Sequence, residues 1–430
     1  MVARAGSLVL IAVDTAMIGH SGASELAAYG IALAPMVPLL LVGIGLVTGT
    51  VVLVSEALGA NRPQDCGKVL RVSLSQGIFF GALLVAALHG GERILLATGQ
   101  SPELAHAGGV VVLALGWGMP AILLHVSTSF FLEALNRTTA GMVVMVVANL
   151  LNAAGNWLVL FGPWAPLGAE GAAWVTTAVR WFALLALGSY LLLAVPHRKY
   201  GLFSPAPIRP GRRLLRLGMP MGLTMGLESG AFTVMLLFAG WLGPVTLGAF
   251  QIGYSLIGLP FMCALGFSTA ASVRVAHAVG RGDPHGAQRA GWTAVVLGGL
   301  VTGAIGIFYM LFPLLFAEIY SNDSAVLALA GPTVVIAGLV LLPDACQAIL
   351  MGALRGQSDV WPPAVLFMVA FWGVMVPIGY WLGVTLYGAA GLMGAISIGC
   401  VVAAALLAVR FHRRGKRAQS PPSTVSASIA

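Results

Sequence analysis

The sequence predicts an all-α integral membrane protein: twelve transmembrane helices in two six-helix lobes that are parallel repeats of one another. Three observations predict it. Apolar residues make up 59% of the 430 and charged residues only 8%, against about 25% charged in ordinary globular domains. A chain of that composition lacks the polar surface to face water and must be solvated by lipid. Uncharged runs of roughly 20 residues, enough to cross about 30 Å of hydrocarbon, recur from end to end. The stretch from Gly19 to Pro63 also returns 221 residues later as Gly240 to Pro284, with twelve identities in forty-five positions and no gap. Both copies follow a Gly-x-x-Gly turn with a long uncharged run and then a basic loop closed by Gly and Pro. Internal duplication of this kind marks membrane transporters.

The runs place helices over residues 3–19, 26–55, 69–90, 103–132, 138–161, 170–194, 213–239, 245–275, 287–315, 324–353, 361–383 and 388–410. Six helices per half leave both copies in the same orientation, so the repeat axis runs along the membrane normal. The division that follows is an N-terminal lobe over 1–195, a linker over 196–212 and a C-terminal lobe over 213–411. The tail over 412–430 is rich in Ser, Pro and Ala beyond Arg417 and predicts disorder. Pro35, Pro38, Pro120, Pro220, Pro260, Pro343 and Pro377 predict kinks or breaks in the helices that hold them. The first helix is short. Nineteen residues to Gly19 span only about 28 Å, which suggests an upstream start or a truncated first helix. It does not read as a signal peptide, because an acid sits inside it and no small-residue cleavage site follows.

Orientation follows from the cations. With the N-terminus inside, twenty of the twenty-two Lys and Arg face the cytoplasm, Arg93 alone lies outside, and Arg180 lies within a helix. That asymmetry predicts a multi-pass protein of the inner (cytoplasmic) membrane with both termini cytoplasmic. The net charge of +8 is then a topology signal and not a nucleic-acid footprint.

Soluble-enzyme chemistry finds no foothold. The run GANRPQDCGKVL has a Gly-Lys pair, but a P-loop needs a Gly where Arg62 stands and a Ser or Thr where Val69 stands. The eight histidines are scattered, and Cys66, Cys263, Cys346 and Cys400 show no metal or redox spacing. No enzyme activity and no cofactor are expected, beyond a coupling ion.

The intramembrane acids carry more information. Most of the fourteen acids sit in loops or at helix ends; Asp14, Glu228 and Asp344 do not. A charge at mid-bilayer costs about 2.5–3.5 kcal/mol even on insertion scales, and such residues usually face a cavity or an ion path. Arg180 is a candidate counter-charge. The halves carry the acids asymmetrically: by the 221 shift Asp14 meets Met235 and Glu228 meets Ser7, while Ala121 stands where Asp344 does once Pro120 and Pro343 are aligned. A symmetric scaffold with asymmetric acids points to function as the reason for their placement. Met225, with Met219, Met221 and Met235 nearby, suits a pocket for flat organic cations, since thioethers repack easily, and suits lipid-facing packing equally well.

Three stretches resemble one family, the multidrug and toxic compound extrusion (MATE) transporters. DTAMIGHSGASELAAYGIA from Asp14 resembles its first-helix signature, NLLNAAGNWLVLFGPWAPLGAEGAAWVTT (149–177) its helix 5–6 pattern, and DACQAILMGALRGQSD (from Asp344) its helix 10. The resemblance covers nearly the whole chain and implies a two-lobe, cation-coupled exporter whose cleft opens to each side in turn. In the NorM-type branch, acids matching Asp14, Glu228 and Asp344 bind the coupling ion, H+ or Na+, with Na+ expected at Glu228 and Asp344. Gln251 matches a helix 8 Gln near the cleft, and Asn152 and Met225 join it as cleft candidates. The expected substrates are organic, cationic drugs; the expected state is a monomer in the lipid bilayer, without nucleic acid. The alternative is a lipid-linked oligosaccharide flippase of the same superfamily. That reading wants several cations for pyrophosphate, and Arg180 is the one intrahelical cation.

Overall fold

The computed structural model describes residues 2–97, 100–162, 167–203, 211–320 and 323–419, and the long elements among them are all helices. The first six are α1 (Val2–Ser21), α2 (Ala23–Val47, continued by Gly49–Gly59), α3 (Gln64–Leu88), α4 (Pro102–Gly116, continued by Met119–Ala134), α5 (Thr138–Leu160) and α6 (Gly168–Ala194). The second six are α7 (Gly211–Trp241), α8 (Pro244–Gly280), α9 (Pro284–Leu311), α10 (Ser324–Gly356), α11 (361–387) and α12 (Gly388–Gln419). Among the described residues ten stretches are long and apolar enough to cross a bilayer, and the last, of 56 residues, contains both α11 and α12. These two meet at Gly388, whose φ of 57° ends the first and starts the second. With the 20-residue α1 the predicted twelve are present. Their outer faces are apolar: Leu150, Leu185, Leu300 and Leu311 are each 65–66% exposed, as lipid-facing side chains must be.

The duplication is visible in the turns. Asn61 (φ 56°) and Gly282 (φ 71°) occupy the same place 221 residues apart, both left-handed. Each closes its helix with the same pair of bonds, Arg62 N to Ala57 O (2.9 Å) and Asp283 N to Ala278 O (3.0 Å) standing as counterparts. Asn136 and Ser358 repeat that helix stop at the ends of α4 and α10. Prolines act by position. Pro120 starts the second segment of α4 after a break, whereas Pro220, Pro260 and Pro343 lie inside continuous helices. Pro377 sits between two π-helical stretches of α11, Val369–Met375 and Gly379–Tyr387. Pro313 ends α9 at Leu311 and begins a separate short helix, so the helix expected over 287–315 is cut.

The chain forms two compact units, one of Met1–Ala57 with Arg62–Gly230, the other of Leu58–Asn61 with Ala231–Ala430. The division therefore falls inside α7 and not in the linker, because the first half of α7 packs on α2 through glycines. In the first unit α1 packs on α5, α5 on α6, α2 on α4 and α3 on α4. In the second, α8 and α9 pack on α10, and α12 packs on α10 and α11. The first part of the linker is clamped to α3: Arg71 donates to the Leu202 carbonyl (2.6 Å), and Gly67 lies against the Gly201 carbonyl. Linker residues 204–210 and tail residues 420–430 lie outside the described residues.

The expected boundary between C-terminal lobe and tail needs correction, since α12 continues through Gln419. Asp359, 6% exposed at the turn after α10, holds it. Arg410 donates Nε to Oδ2 (2.7 Å) and Nη2 to Oδ1 (2.9 Å), and Arg414 stands 3.5 Å from Oδ1. Gln288 of α9 adds a bond to the Phe411 carbonyl (2.9 Å). Replacing Asp359 with Ala strands two arginines that are partly exposed, so Asp359→Ala is expected to cost about 1–3 kcal/mol of stability. Thermal unfolding in detergent measures it, with Asp359→Glu expected to fall between the variant and the parent.

Candidate functional site

An acid in the middle of α1 has no water to stabilise it, so its partners must come from neighbouring helices. Asp14 is fully buried and takes one donor from each of three. Asn156 Nδ2 of α5 donates to Oδ1 (2.6 Å), Thr176 Oγ1 of α6 to Oδ2 (2.9 Å), and the Tyr29 hydroxyl of α2 to Oδ2 (3.1 Å). Asn152, one turn before Asn156 on α5, donates Nδ2 to Thr176 Oγ1 (3.2 Å) and extends the chain of bonds outward. The amide oxygens of both, Asn152 Oδ1 and Asn156 Oδ1, are buried without a partner. The site thus combines one carboxylate, two available amide oxygens and two hydroxyls, an oxygen-rich set suited to a proton or a hard cation.

The elements are positioned for this by local sequence. α1 and α2 are joined by the Gly22 turn, and Glu25 at the start of α2 accepts from Ala169 N (2.6 Å), which anchors the N-terminus of α6. Asn152 and Asn156 are four apart and share one face of α5. Tyr29 packs among Ile18, Ala32, Met36 and Leu115 in the core of this unit.

Asp344, 4% exposed on α10, sits in the second unit. Its Oδ1 accepts from Gln347 Nε2 of the same helix (3.4 Å) and from the Cys400 thiol of α12 (3.7 Å). Glu228 is half-buried on α7, within the first unit's portion of that helix. Among the described residues no three His, Cys, Asp or Glu side chains converge on one point.

Arg180, the candidate counter-charge, donates its guanidinium to the Leu115 carbonyl (3.2 Å) at the break in α4. Asn152, expected on the substrate cleft, is fully buried and bonded into the Asp14 network. Gln251 is exposed on α8 and Met225 half-buried on α7. The sequence does not single out Tyr29, Asn156, Thr176 or Gln347, and it offers Cys400 only as a cysteine without metal or redox spacing; the four-residue spacing of Asn152 and Asn156 in an apolar helix is the signal available for the α5 pair.

The family model described as MatE matches residues 1–158 and 220–381. The chain belongs to the MatE family. It is 32% identical over 423 residues to the probable multidrug resistance protein NorM of Caulobacter vibrioides, covering 96% of this chain and 89% of that one. The protein of the same description in Rhodopseudomonas palustris is 31% identical over 418 residues, with 95% and 88% covered. Among solved structures, the outward-facing conformation of a multidrug resistance MATE family transporter superposes with a TM-score of 0.89 at 19% identity, covering 98% of this chain and 94% of that one. The eukaryotic MATE transporter AtDTX14 superposes with a TM-score of 0.87 at 21% identity, covering 97% and 95%. The twelve-helix fold is therefore the MATE fold.

In this MatE chain Asp14 can be replaced with and without its hydrogen bonds. Asp14→Asn keeps an acceptor oxygen in place and is expected to unfold close to the parent. Asp14→Leu leaves Tyr29, Asn156 and Thr176 unmatched in the core, at roughly 1–3 kcal/mol for each buried donor. Thermal unfolding of the two purified variants distinguishes them, and equal midpoints would count against the network as drawn.

Proposed function

We propose that this MatE chain is a secondary active multidrug exporter, moving organic, cationic compounds out of the cell by antiport with H+ or Na+ through alternating access between its two lobes. The observation that carries the reading is the Asp14 network, a buried carboxylate in a membrane helix with exchangeable oxygen partners. An ionised Asp14 uses the three donors that surround it. A protonated Asp14 must place its own O–H, and turning the Asn156 amide presents Oδ1 as the acceptor. A sodium ion would instead be held by the carboxylate, Asn152 Oδ1, Asn156 Oδ1 and Thr176 Oγ1. Each ion state asks for a different bonding pattern among α1, α2, α5 and α6, which is how an ion biases helix packing. Asp344 and Glu228 are further coupling acids on this reading.

The relatives named as probable multidrug resistance proteins support the substrate class. The cation asymmetry of the loops supports an inner-membrane location with both termini cytoplasmic, and the chain acts as a monomer. Exchange of one monovalent ion for one monovalent drug moves no net charge. The membrane potential, about 2.3 kcal/mol per charge per 100 mV, then contributes only if two ions enter per drug. Two separate acid sites allow that.

Liposomes loaded with a fluorescent organic cation, given a pH or a sodium gradient separately, test the reading. One gradient is expected to drive dye movement and the other not. Asp14→Asn, Glu228→Gln and Asp344→Asn are each expected to reduce it to the level of protein-free liposomes; parental rates in all three would sink the coupling role. If sodium is the ion, Asn156→Ala raises the sodium concentration for half-maximal transport about tenfold or more, by loss of an oxygen ligand worth about 1.4 kcal/mol. A potential clamped inside-negative is expected to speed export if two ions enter per drug.

A further inference from the structure

By repetition α7 heads the second copy, yet its first half is packed against α2 in the first unit. The contact is made of glycine. Gly45 and Gly49 on α2, and Gly218, Gly222 and Gly226 on α7, recur every four residues, so each set lies along one face of its helix. A Cβ at Gly45 would overlap the Gly222 backbone, and one at Gly218 would overlap the Leu46 carbonyl. At Gly222 it would stand 2.8 Å from the Val42 carbonyl, and at Gly49 2.8 Å from the Leu214 side chain. The two helices therefore meet backbone to backbone at Gly45, Gly218 and Gly222, close enough for dispersion to act, with the Leu214 side chain packed on Gly49. Pro220 lies in the middle of this seam and removes one hydrogen bond from α7.

At the cation-rich end of the seam, Arg213 Nη2 donates to both oxygens of Glu56, at 2.9 and 2.8 Å. The Arg213 side chain is 55% exposed and that of Glu56 19%. A cavity of about 170 Å³ opens beside the pair, lined also by Arg62, Asp65 and Lys68. Lys68 Nζ is 2.7 Å from Asp65, and Arg62 3.8 Å from it. Ion pairs this exposed contribute little net stability, and Arg62 and Lys68 line the same cavity as Glu56. The duplicated position lacks the acid: Glu56 corresponds to His277, whose Nδ1 faces Arg281 Nη1 at 3.2 Å. A static brace would have no need of a bendable helix, a glycine seam and a weak, wettable ion pair in one place.

We propose that Glu56 and Arg213 form a latch on the first half of α7, which opens and closes once per transport cycle as α7 bends at Pro220 away from α2. The proposal takes from the exporter reading only what the cycle carries; the motion itself is measured without substrate.

The test uses full-length protein in liposomes, with the four native cysteines replaced and spin labels at Arg62→Cys and Arg212→Cys, both exposed positions beside the pair. Double electron–electron resonance is expected to resolve two distances. Glu56→Gln is expected to shift their ratio toward the longer one by up to about fivefold. A single distance under every ion condition, unmoved by Glu56→Gln, overturns the latch. The second arm joins Glu56→Cys to Arg213→Cys with a cleavable bifunctional maleimide. Transport is expected to stop on cross-linking and return on cleavage, whereas cross-linked protein that transports at the uncross-linked rate also overturns it. A parent protein that moves no dye would remove the exporter reading while leaving the distance result to decide the latch.

Discussion

Asp14 remains in an apolar helix because three other helices each give it a hydrogen bond, and that requirement fixes much of the first unit. A carboxylate placed in hydrocarbon carries a penalty of about 2.5–3.5 kcal/mol, which three charge-assisted bonds can offset. To deliver them, α2 must turn Tyr29 inward, α5 must turn Asn156, and α6 must turn Thr176. The rotation of three helices about their own axes is thereby set by one side chain of a fourth. Glu25 then ties the start of α2 to the start of α6, so the same helices are held in height as well as rotation.

What brings the helices together is a separate matter, since lipid supplies no hydrophobic drive between them. Close backbone approach supplies dispersion instead. Gly306 of α9 and Gly338 of α10 face each other so closely that a Cβ on either would meet the other's carbonyl. Gly352 and Gly356 of α10 lie against Ser268 and Ser272 of α8, and Ser268 Oγ donates to the Ala348 carbonyl (2.7 Å). The second unit is thus packed through glycines, and Tyr309 Oη of α9 adds a bond to the Leu256 carbonyl of α8 (3.1 Å). Its buried Asp359 clamp lies at the end of the helices and not in their middle.

Much of this fold was legible in the sequence because lipid imposes a coarse rule: length and lack of charge are enough to find a helix. The duplication was legible because both copies keep the same glycines and the closing proline, Gly19, Gly22, Gly45, Gly59 and Pro63 meeting Gly240, Gly243, Gly266, Gly280 and Pro284, whereas the shared left-handed turn is met by different residues, Asn61 and Gly282. The partners of Asp14 were less legible. Tyr29 and Thr176 are single polar residues in apolar runs, and only the folded bundle says which faces inward. The unit boundary was hidden because repetition assigns α7 to the second copy, whereas the glycines at Gly218 and Gly222 dock its first half on the first. The extension of α12 to Gln419 was hidden by composition: the basic run after Arg410 falls in the expected tail until Asp359, more than fifty residues earlier, is seen to hold Arg414 as well as Arg410.

The two buried acids of α1 and α10 differ in how much structure hangs on their ion state. Among the described residues Asp344 accepts from one other helix, through the Cys400 thiol at 3.7 Å, and from Gln347 on its own helix. Neutralising it relaxes one weak interhelical contact. Neutralising Asp14 changes what Tyr29, Asn156 and Thr176 must each do, and through Thr176 what Asn152 must do, so four helices respond together. In an antiporter the ion has to move helices, and the work it can do is limited to the difference in its binding between the two packings. That difference is largest where the ion's partners come from the most helices. Under the proposed exchange, Asp14 is the position from which ion uptake would repack the first unit, on which the first half of α7 is docked by its glycines, by the Gln76–Gly211 bond and by the Glu56–Arg213 pair.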